Sequence, residues 1–397
     1  MQSMFVFIKR YMRRCRSFLK RQKPRCFSLF MVFCRILPVQ NKAVFISYKG
    51  KYYNCNPRAI YEEIHRRMPK CKYIWLMNDD TIVIEGAKVV KNLTFKAAYH
   101  LATARLWIDN CRKPYWVRKR PQKQYYVNVS HGGIAALKKL ERDVEDKISP
   151  VYVRNAKHDS KCADLFLSAS KWRSEKFRTI YWYDGEILEY GVPRSDVFFQ
   201  DGSKIKENVQ KYFNLSSDDR IAVYAPTFRN SGTLGVYLSQ NECYELLSSL
   251  KENWGGEWKL VVRLHPHISD KNSLIQYDNQ ILNGSVYDNL SDLIIASDLL
   301  ITDYSGCMFD GMEAKKPVFL FASDVDEYMD ERGFYLKFEE MPFPFATNIG
   351  ELITWIERFN PTEYAKKSEE FRENVGSFNN AHASERVVDY IIDHYFS

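Results

Sequence analysis

The body of the chain opens with a strand–helix–strand pattern: AVFISY at residues 43–48, PRAIYEEIHRRM at 57–68 and KYIWLM at 72–77. The outer two segments are short apolar runs of strand length, and the middle one spaces its apolar residues as a helix does. Two buried strands joined by a helical crossover run parallel in one sheet. This unit therefore predicts a parallel α/β sheet.

The same alternation continues along the chain in two series. Further strands of the first series are expected at 105–109, 124–130, 165–169 and 187–190, with a helix at 93–104, and those of the second at 221–225, 258–264, 299–303 and 318–321. Two such series predict two Rossmann-like α/β domains that face each other across a cleft. The boundary is expected between Gly191 and Leu215, so we assign residues 41–205 to the first domain and 206–397 to the second.

The net charge of +9 belongs to the N-terminal 40 residues. They carry ten Lys or Arg and no acidic residue, whereas the other 357 residues carry 48 basic and 49 acidic side chains. Phe, Met, Leu and Val alternate with the basic residues, a pattern that suits an anionic membrane surface. Residues 1–40 are therefore interpreted as a basic amphipathic membrane-binding arm. A disordered basic tail and an RNA-binding segment are the alternatives.

Composition and the lack of visible targeting signals exclude several classes of protein. Hydrophobic residues make up 45% of the chain, which excludes a disordered or collagen-like protein. The nine cysteines show no metal-ligand spacing and are typical of reduced thiols in the cytosol. The longest apolar run of the arm, 27–34, is too short to cross a membrane, and no secretory signal is visible. We expect a peripheral protein on the cytoplasmic face of the cell membrane that does not bind nucleic acid.

In open parallel sheets ligands bind where strands end, so the residues that follow each strand are the candidates for chemistry. Ser130-His131-Gly132-Gly133 follows the strand at 124–130, and an approachable imidazole is a natural general base for a hydroxyl group. Lys138 and Lys139 come soon after and suit an acidic substrate. A turn with a solvated histidine is the simpler interpretation of this motif.

Three segments of the second series carry groups that bind phosphate. Thr227 and Arg229 follow its first strand, and Arg263 with His265 follows the next, where the two side chains would point the same way. His267 adds a second imidazole, but no acidic or cysteine partner lies at a metal-ligand spacing, so no metal is expected. The third segment, Thr302–Asp310, offers Ser305 and Gly306 at a helix start for pyrophosphate and Asp310 for ribose, with Glu313 as second choice.

Taken together and in order, these segments resemble the CDP-glycerol glycerophosphotransferase family of teichoic-acid and capsule polyol-phosphate transferases. The resemblance covers about residues 51–386 and rests on six motifs: GKYYNCNPRA (50–59), SHG (130–132) with Lys138-Lys139, GVPRSD (191–196), APTFR (225–229), RLHP (263–266) and TDYSGCMFD (302–310) with Lys316-Pro317. It implies a GT-B-like fold and transfer of a polyol phosphate from a CDP-polyol to a hydroxyl of a lipid-linked teichoic-acid or capsule-type acceptor. CMP is released, and no cofactor is implied.

The resemblance also implies roles for individual residues. His131 looks like the base that activates the acceptor hydroxyl, and His265, with Arg263, like the group that holds the donor phosphates and stabilises departing CMP. The remaining positions look like phosphate contacts (Thr227, Arg229, Ser305, Gly306), a ribose or polyol contact (Asp310), and acceptor-side or cleft residues (Gly132, Lys138, Lys139, Arg194).

The chain departs from the family pattern in places, and other functions stay open. Lys138 lies seven residues after His131, farther than is common, and Gly306 stands where a second Ser is frequent. One alternative is a GT-B glycosyltransferase or sugar-nucleotide epimerase that uses a UDP- or GDP-sugar. Another is a catalytically silent module whose arm docks to membrane or RNA. Both CDP-glycerol and CDP-ribitol remain candidate donors, because they differ by only one or two hydrogen bonds of recognition.

Overall fold

The computed structural model describes residues 22, 24–227, 237–264 and 275–396. The first sheet has seven strands: β1 (Gln40–Ile46), β2 (Lys72–Met77), β3 (Ala87–Lys91), β4 (Ala104–Asp109), β5 (Tyr125–Asn128), β6 (Leu165–Leu167) and β7 (Glu186–Leu188). They lie in the order β3-β2-β1-β4-β5-β6-β7, and every neighbouring pair is parallel.

The second sheet has six strands: β8 (Asp219–Tyr224), β9 (Glu257–Val262), β10 (Ile281–Asn283), β11 (Leu299–Thr302), β12 (Val318–Phe321) and β13 (Phe345–Ala346). Their order is β10-β9-β8-β11-β12-β13, again with parallel pairs only. Two parallel sheets of this kind confirm the predicted α/β class with two Rossmann-like domains. In both sheets the first strand is interior and the strand order reverses beside it, where such folds form their ligand crevice.

Helices connect the strands. They are α1 (24–33), α2 (Cys55–Arg67), α3 (Phe95–Thr103), α4 (Pro150–Cys162), α5 (Lys171–Ile180), α6 (Ser203–Tyr212), α7 (Gln240–Trp254), α8 (Leu290–Ala296), α9 (Cys307–Glu313), α10 (Val325–Arg332), α11 (Ile349–Glu357), α12 (Pro361–Asn374) and α13 (Ala383–Tyr395). Several begin at side-chain caps that satisfy free backbone amides. Ser149 and Ser170 cap α4 and α5, and Ser239 forms a capping box with Glu242 on α7.

The interior strands were predicted from their apolar runs, and the structure explains why three edge strands were not. Strands β1, β2, β8 and β11 are buried over four or five consecutive residues, because helices cover both faces of a parallel sheet. The unpredicted strands β3, β10 and β13 all lie at sheet edges and are partly exposed or only two or three residues long. Such segments lack the continuous apolar signal.

The end of the chain returns to the first sheet. In α13 the ring of Tyr395 stacks on Tyr125 of β5 with centroids 4.3 Å apart, and Tyr390 donates a hydrogen bond of 2.8 Å to Glu186 of β7. The backbone before α13 also pairs with the start of α5, through Lys171 N to Gly376 O and Phe378 N to Ala169 O. One buried apolar cluster contains residues of both sheets. The two halves therefore share a core.

Part of the predicted arm packs onto the first sheet. Phe27 of α1 contacts Trp116 edge to face at 5.2 Å, and Phe30 contacts Phe95 at 4.9 Å. The rest of the arm, residues 1–21 and 23, lies outside the described residues. Within the described part of the chain, none of the helices is both long and apolar enough to cross a membrane.

Candidate functional site

The candidate base His131 lies just beyond the carboxyl end of β5. Residues 129–133, here called the His131 loop, turn sharply there because Ser130 adopts a left-handed backbone conformation with φ of 50°. The Ser130 amide donates to the Asn128 side chain at 3.0 Å, which holds this turn. A non-glycine residue in that conformation is strained, and strain of this kind is common beside reacting groups. The loop leaves part of His131 open to solvent, while protein atoms surround much of its ring.

One hydrogen bond fixes the tautomer of the His131 ring. Its Nδ1 lies 2.9 Å from the backbone carbonyl oxygen of Asn110. A carbonyl can only accept, so Nδ1 carries the proton and Nε2 of the neutral ring is left as an acceptor. The ring of Tyr48 lies against the imidazole with centroids 5.5 Å apart. The imidazole is thus oriented as a general base requires.

Protein atoms around the imidazole lower the pKa of His131 below its ordinary value of 6.5. Desolvation of the charged ring is the largest cause, and the Asn110 carbonyl opposes it. The positive charges of Arg173, Arg194 and Lys138 lower the pKa of His131 further. The ring is therefore neutral at pH 7 and able to accept a proton.

Asn56 connects the His131 loop to the segment that carries Arg194. Its side-chain amide, fully buried, donates to the carbonyl oxygens of Val129 at 2.8 Å and Ser130 at 3.1 Å. Its side-chain oxygen accepts from the Arg194 amide at 3.0 Å. The residue sits at the start of α2 and belongs to the GKYYNCNPRA motif. Asn56 therefore links the backbone of the His131 loop to the backbone of Arg194 through buried hydrogen bonds.

Arg194 reaches across to the second domain. Its two terminal nitrogens donate to the two carboxylate oxygens of Asp310, each at 2.8 Å, and both side chains are largely buried. Burial disfavours the charged guanidinium, but the Asp310 carboxylate outweighs that effect and raises the pKa of Arg194. The structure thus joins two predicted site residues, 116 positions apart, in one bidentate ion pair. Asp310, predicted as a ribose or polyol contact, has both oxygens engaged with Arg194.

The two glycines of the His131 loop allow two arginines to approach it. A Cβ atom at Gly133 would lie 3.6 Å from both Arg194 Nη2 and Asp310 Oδ1, so the loop packs on that ion pair. A Cβ atom at Gly132 would overlap the guanidinium of Arg173, which occupies the space that glycine leaves. Gly132, predicted as a cleft residue, therefore has a specific steric role.

On the second domain, buried contacts hold the segments that follow β8 and β11. The Thr227 amide donates to the Asp303 carboxylate at 2.9 Å, and Thr302 Oγ1 donates to the Ala225 carbonyl at 2.7 Å. Arg263, after β9, donates to the carbonyl oxygens of Gly284 (3.1 Å), Tyr287 and Asp288 (3.3 Å). Burial lowers the pKa of Arg263. Its guanidinium holds the 284–288 turn in place and puts a positive charge just after the carboxyl end of β9.

Ser305 and Gly306 precede α9 as predicted. Gly306 is exposed, and a Cβ atom there would meet nothing within 4 Å, so this end is open to the surroundings. Glu313, at the other end of α9, is buried and accepts two hydrogen bonds of 2.9 Å from Asn379. Burial raises the pKa of Glu313 to about 7. It therefore contacts the protein interior.

Lys138 and Lys139 lie where the two halves meet. Lys138 forms an isolated antiparallel bridge with Phe334, and the Lys139 amide donates to the Gly333 carbonyl at 2.9 Å. The Lys139 side chain is exposed. His265 and Arg229 fall outside the described residues, so their predicted donor roles stay predictions. Among the residues that the structure does describe, no cluster of His, Cys, Asp or Glu could hold a metal ion.

Sequence reasoning did not identify Arg173 or Asn110. Asn110 acts through its backbone carbonyl, which no residue type reveals. Arg173 did leave a signal: with Phe177 and Ile180 it shares the buried face of α5, at spacings of four and three residues. A basic residue on an otherwise apolar helix face is unusual, because lysine and arginine rarely bury without a partner.

The chain is similar to known proteins over most of its length. The chain is 33% identical over 370 residues to a teichoic acid poly(glycerol phosphate) polymerase of Staphylococcus epidermidis, covering 88% of this chain and 50% of that protein. It is 31% identical over 352 residues to the protein of the same name from Bacillus subtilis, covering 85% and 46%. The chain thus spans about half the length of these curated relatives.

Solved structures of the wall teichoic acid polymerase TagF, one of them a variant soaked with CDPG, superpose with a TM-score of 0.83. They are 29% identical to this chain, and the alignment covers 98% of both chains. This likeness confirms the GT-B-like arrangement. The model of the CDP-glycerol:poly(glycerophosphate) glycerophosphotransferase family matches residues 28–393. The chain belongs to this family.

Proposed function

We propose that this chain transfers a polyol phosphate, glycerol phosphate or ribitol phosphate, from a CDP-polyol to a hydroxyl group of a lipid-linked teichoic-acid-type glycan, and releases CMP. The observation that carries the proposal is the orientation of His131. Its Nδ1 lies on the Asn110 carbonyl, which leaves Nε2 as a free acceptor at the end of a parallel strand. Family membership supplies the substrate class.

In the proposed reaction, Nε2 of His131 takes the proton of the acceptor hydroxyl as its oxygen attacks the phosphorus that bears the polyol. The bond between that phosphorus and the bridging oxygen breaks, and CMP leaves with the electron pair. Such transfers depend on positioning and on positive charge around the phosphate oxygens. In this proposal Arg263, Thr227, Ser305 and Gly306 contact the donor phosphates from the second domain. His265 and Arg229 complete the proposed donor contacts.

The test is CMP release by the purified protein with a teichoic-acid acceptor and one donor at a time: CDP-glycerol, CDP-ribitol, a UDP-sugar or a GDP-sugar. We expect turnover with one CDP-polyol only. His131→Ala should lower turnover by about 10²–10⁴, while that donor still raises the melting temperature of the variant. Release of UDP or GDP instead would favour the glycosyltransferase alternative, and an unchanged rate in His131→Ala would remove this residue as the base.

We also propose that α1 and the preceding basic residues hold the protein on the cytoplasmic face of an anionic membrane. On α1 and the turn after it, Leu29, Phe33 and Ile36 share one face and are 65–74% exposed, whereas Phe27 and Met31 are buried. Beside them lies a cavity of about 670 Å³ lined by Arg35, Arg105, Arg120 and Lys123, with no acidic residue. Exposed apolar side chains beside cations suit such a surface.

This second proposal is tested by flotation with liposomes that contain anionic lipid. The triple variant Leu29→Ser, Phe33→Ser, Ile36→Ser is expected to bind several-fold more weakly than the unmodified protein. A control with Val83→Ser, an exposed apolar residue in the loop between β2 and β3, should bind normally. Equal flotation of all three proteins would show that this face is not the anchor.

A further inference from the structure

Arg173 is a buried cation that has no hydrogen-bonded or ionic partner for its guanidinium among the described residues. The residue is only 5% exposed. Among the described residues, no hydrogen-bond acceptor receives any of its guanidinium N–H groups, and Nη1 is completely enclosed. Its guanidinium carbon lies 5.9 Å from the centre of the Phe177 ring. Arg112, a largely buried arginine of the same domain, shows the usual arrangement and is paired with Glu141 and Asp159.

Burial of an unpaired guanidinium lowers the stability of the folded protein. A guanidinium stays charged at any accessible pH, so it cannot escape burial by losing its proton. A contact at the outer limit of the cation–π range replaces little of the lost hydration. The chain nevertheless builds space for this side chain, because only glycine at position 132 leaves room for it. An arrangement that costs stability in the free protein is typical of a binding site.

The position of Arg173 indicates what it binds. The guanidinium lies over Gly132, the residue next to His131, and its charge lowers the pKa of the His131 ring. On the other side of the same loop, Arg194 is already neutralised by Asp310. Arg173 is therefore an unneutralised guanidinium beside the proton acceptor. Its planar fork matches the oxygens of a phosphate group.

We propose that the Arg173 guanidinium binds a phosphate group of the substrate beside His131. This inference rests on the proposed function, which supplies two sources for that phosphate. One is the phosphodiester at the end of an acceptor chain, one polyol unit away from the attacking hydroxyl. The other is the diphosphate of the CDP-polyol, whose phosphorus the hydroxyl attacks. In either case the residue fixes the distance between the phosphate and Nε2 of His131.

The test compares Arg173→Met with Arg178→Met, a matched control on the exposed side of the same helix. Methionine keeps the length of the side chain and removes the charge. In Arg173→Met we expect kcat/KM for CMP release to fall about 10- to 100-fold, since a charge-assisted contact to phosphate is lost. The denaturation midpoint should be equal or higher, because a buried unpaired charge is removed. Arg178→Met should change neither quantity.

Two binding measurements separate the sources. If the acceptor supplies the phosphate, the KM for acceptor rises in Arg173→Met while the dissociation constant of CDP-glycerol stays within about twofold. If the donor supplies it, that dissociation constant rises instead. Arg173→Lys should recover part of the loss, because lysine restores the charge without the fork. Unchanged kinetics, or a lowered denaturation midpoint with unchanged kinetics, would overturn the inference.

A further measurement distinguishes failure of this inference from failure of the proposed function. Inorganic phosphate at high millimolar concentration should raise the melting temperature of the unmodified protein more than that of Arg173→Met. An enzyme that releases no CMP from either CDP-polyol, but shows this difference, contradicts only the proposed function. Equal phosphate stabilisation of both proteins overturns the role of Arg173, whatever the donor.

Discussion

Two arginines lie against the two glycines that follow His131, and the protein uses them differently. Arg194 packs on Gly133 and gives both terminal nitrogens to Asp310 of the second domain. Arg173 packs on Gly132 and gives its guanidinium to no described residue. The Asp310 carboxylate offsets the cost of burying the Arg194 charge, whereas no described group offsets the cost of burying the Arg173 charge. The same residue type therefore joins the two domains on one side of the candidate base and, in our proposal, binds phosphate on the other.

The largest stability effect is expected where the pair is broken. Asp310→Ala leaves the Arg194 guanidinium buried without its carboxylate, which should lower the free energy of unfolding by about 3–5 kcal/mol. Urea unfolding without substrate measures this change. The double variant Arg194→Met, Asp310→Leu removes both charges and should recover most of the loss. If Asp310→Ala lowers the free energy of unfolding by less than about 1 kcal/mol, Arg194 does not depend on its carboxylate partner, and it would not differ from Arg173 in that respect.

A smaller effect is expected at Glu313, one helical turn beyond Asp310. Burial raises the pKa of Glu313 to about 7, so the folded protein keeps a proton that the unfolded chain releases near pH 4.5. The contribution of Glu313 to stability therefore falls as pH rises from about 4.5 to 7. Glu313→Gln should remove this loss and stabilise the protein at pH 8 by about 3 kcal/mol, but not at pH 4.

The Glu313 measurement also bears on the comparison of the two arginines, because Arg194 and Asp310 are among the charges that act on the Glu313 carboxylate. The Oε1 atom of the new glutamine can accept from Asn379 Nδ2 while Asn379 Oδ1 keeps its hydrogen bond from the Val192 amide, so packing is preserved in the variant. Unfolding free energies at pH 4 and pH 8 give the result directly. A gain of the same size at both pH values would mean that ionisation of the buried Glu313 carboxylate is not the cause. Groups around Glu313 would then neutralise its charge better than the contacts indicate.

How well the fold could be predicted depended on burial. Interior strands such as β1 and β11 are apolar throughout, because both faces are covered, and the sequence located them within a few residues. Edge strands β3, β10 and β13 are covered on fewer sides and are short, so polar residues are tolerated there. The return of α13 to the first sheet depends on contacts such as Tyr125 with Tyr395, which are too distant in sequence for any local pattern to show.

The candidate site was predictable where one residue type carries the chemistry. An imidazole beside glycines at a strand end was a recognisable signal for His131, and the motifs marked Arg194 and Asp310. That these two residues bind each other could not be predicted, because the pairing joins different domains. The Asn110 carbonyl could not be identified either, since every residue has one. Arg173 was detectable only as a basic residue on a buried helix face.

The most direct test of the account is the pH dependence of CMP release in a single turnover. The rate should fall on the acid side with an apparent pKa below 6.5, since a protonated Nε2 cannot accept the hydroxyl proton. The positive charges of Arg173, Arg194 and Lys138 add to desolvation in lowering the pKa of the His131 ring, and Tyr48 lies against it. In His131→Gln the acid limb should vanish and the rate should drop by about 10²–10⁴. A variant that keeps both the rate and the acid limb would contradict His131 as the base.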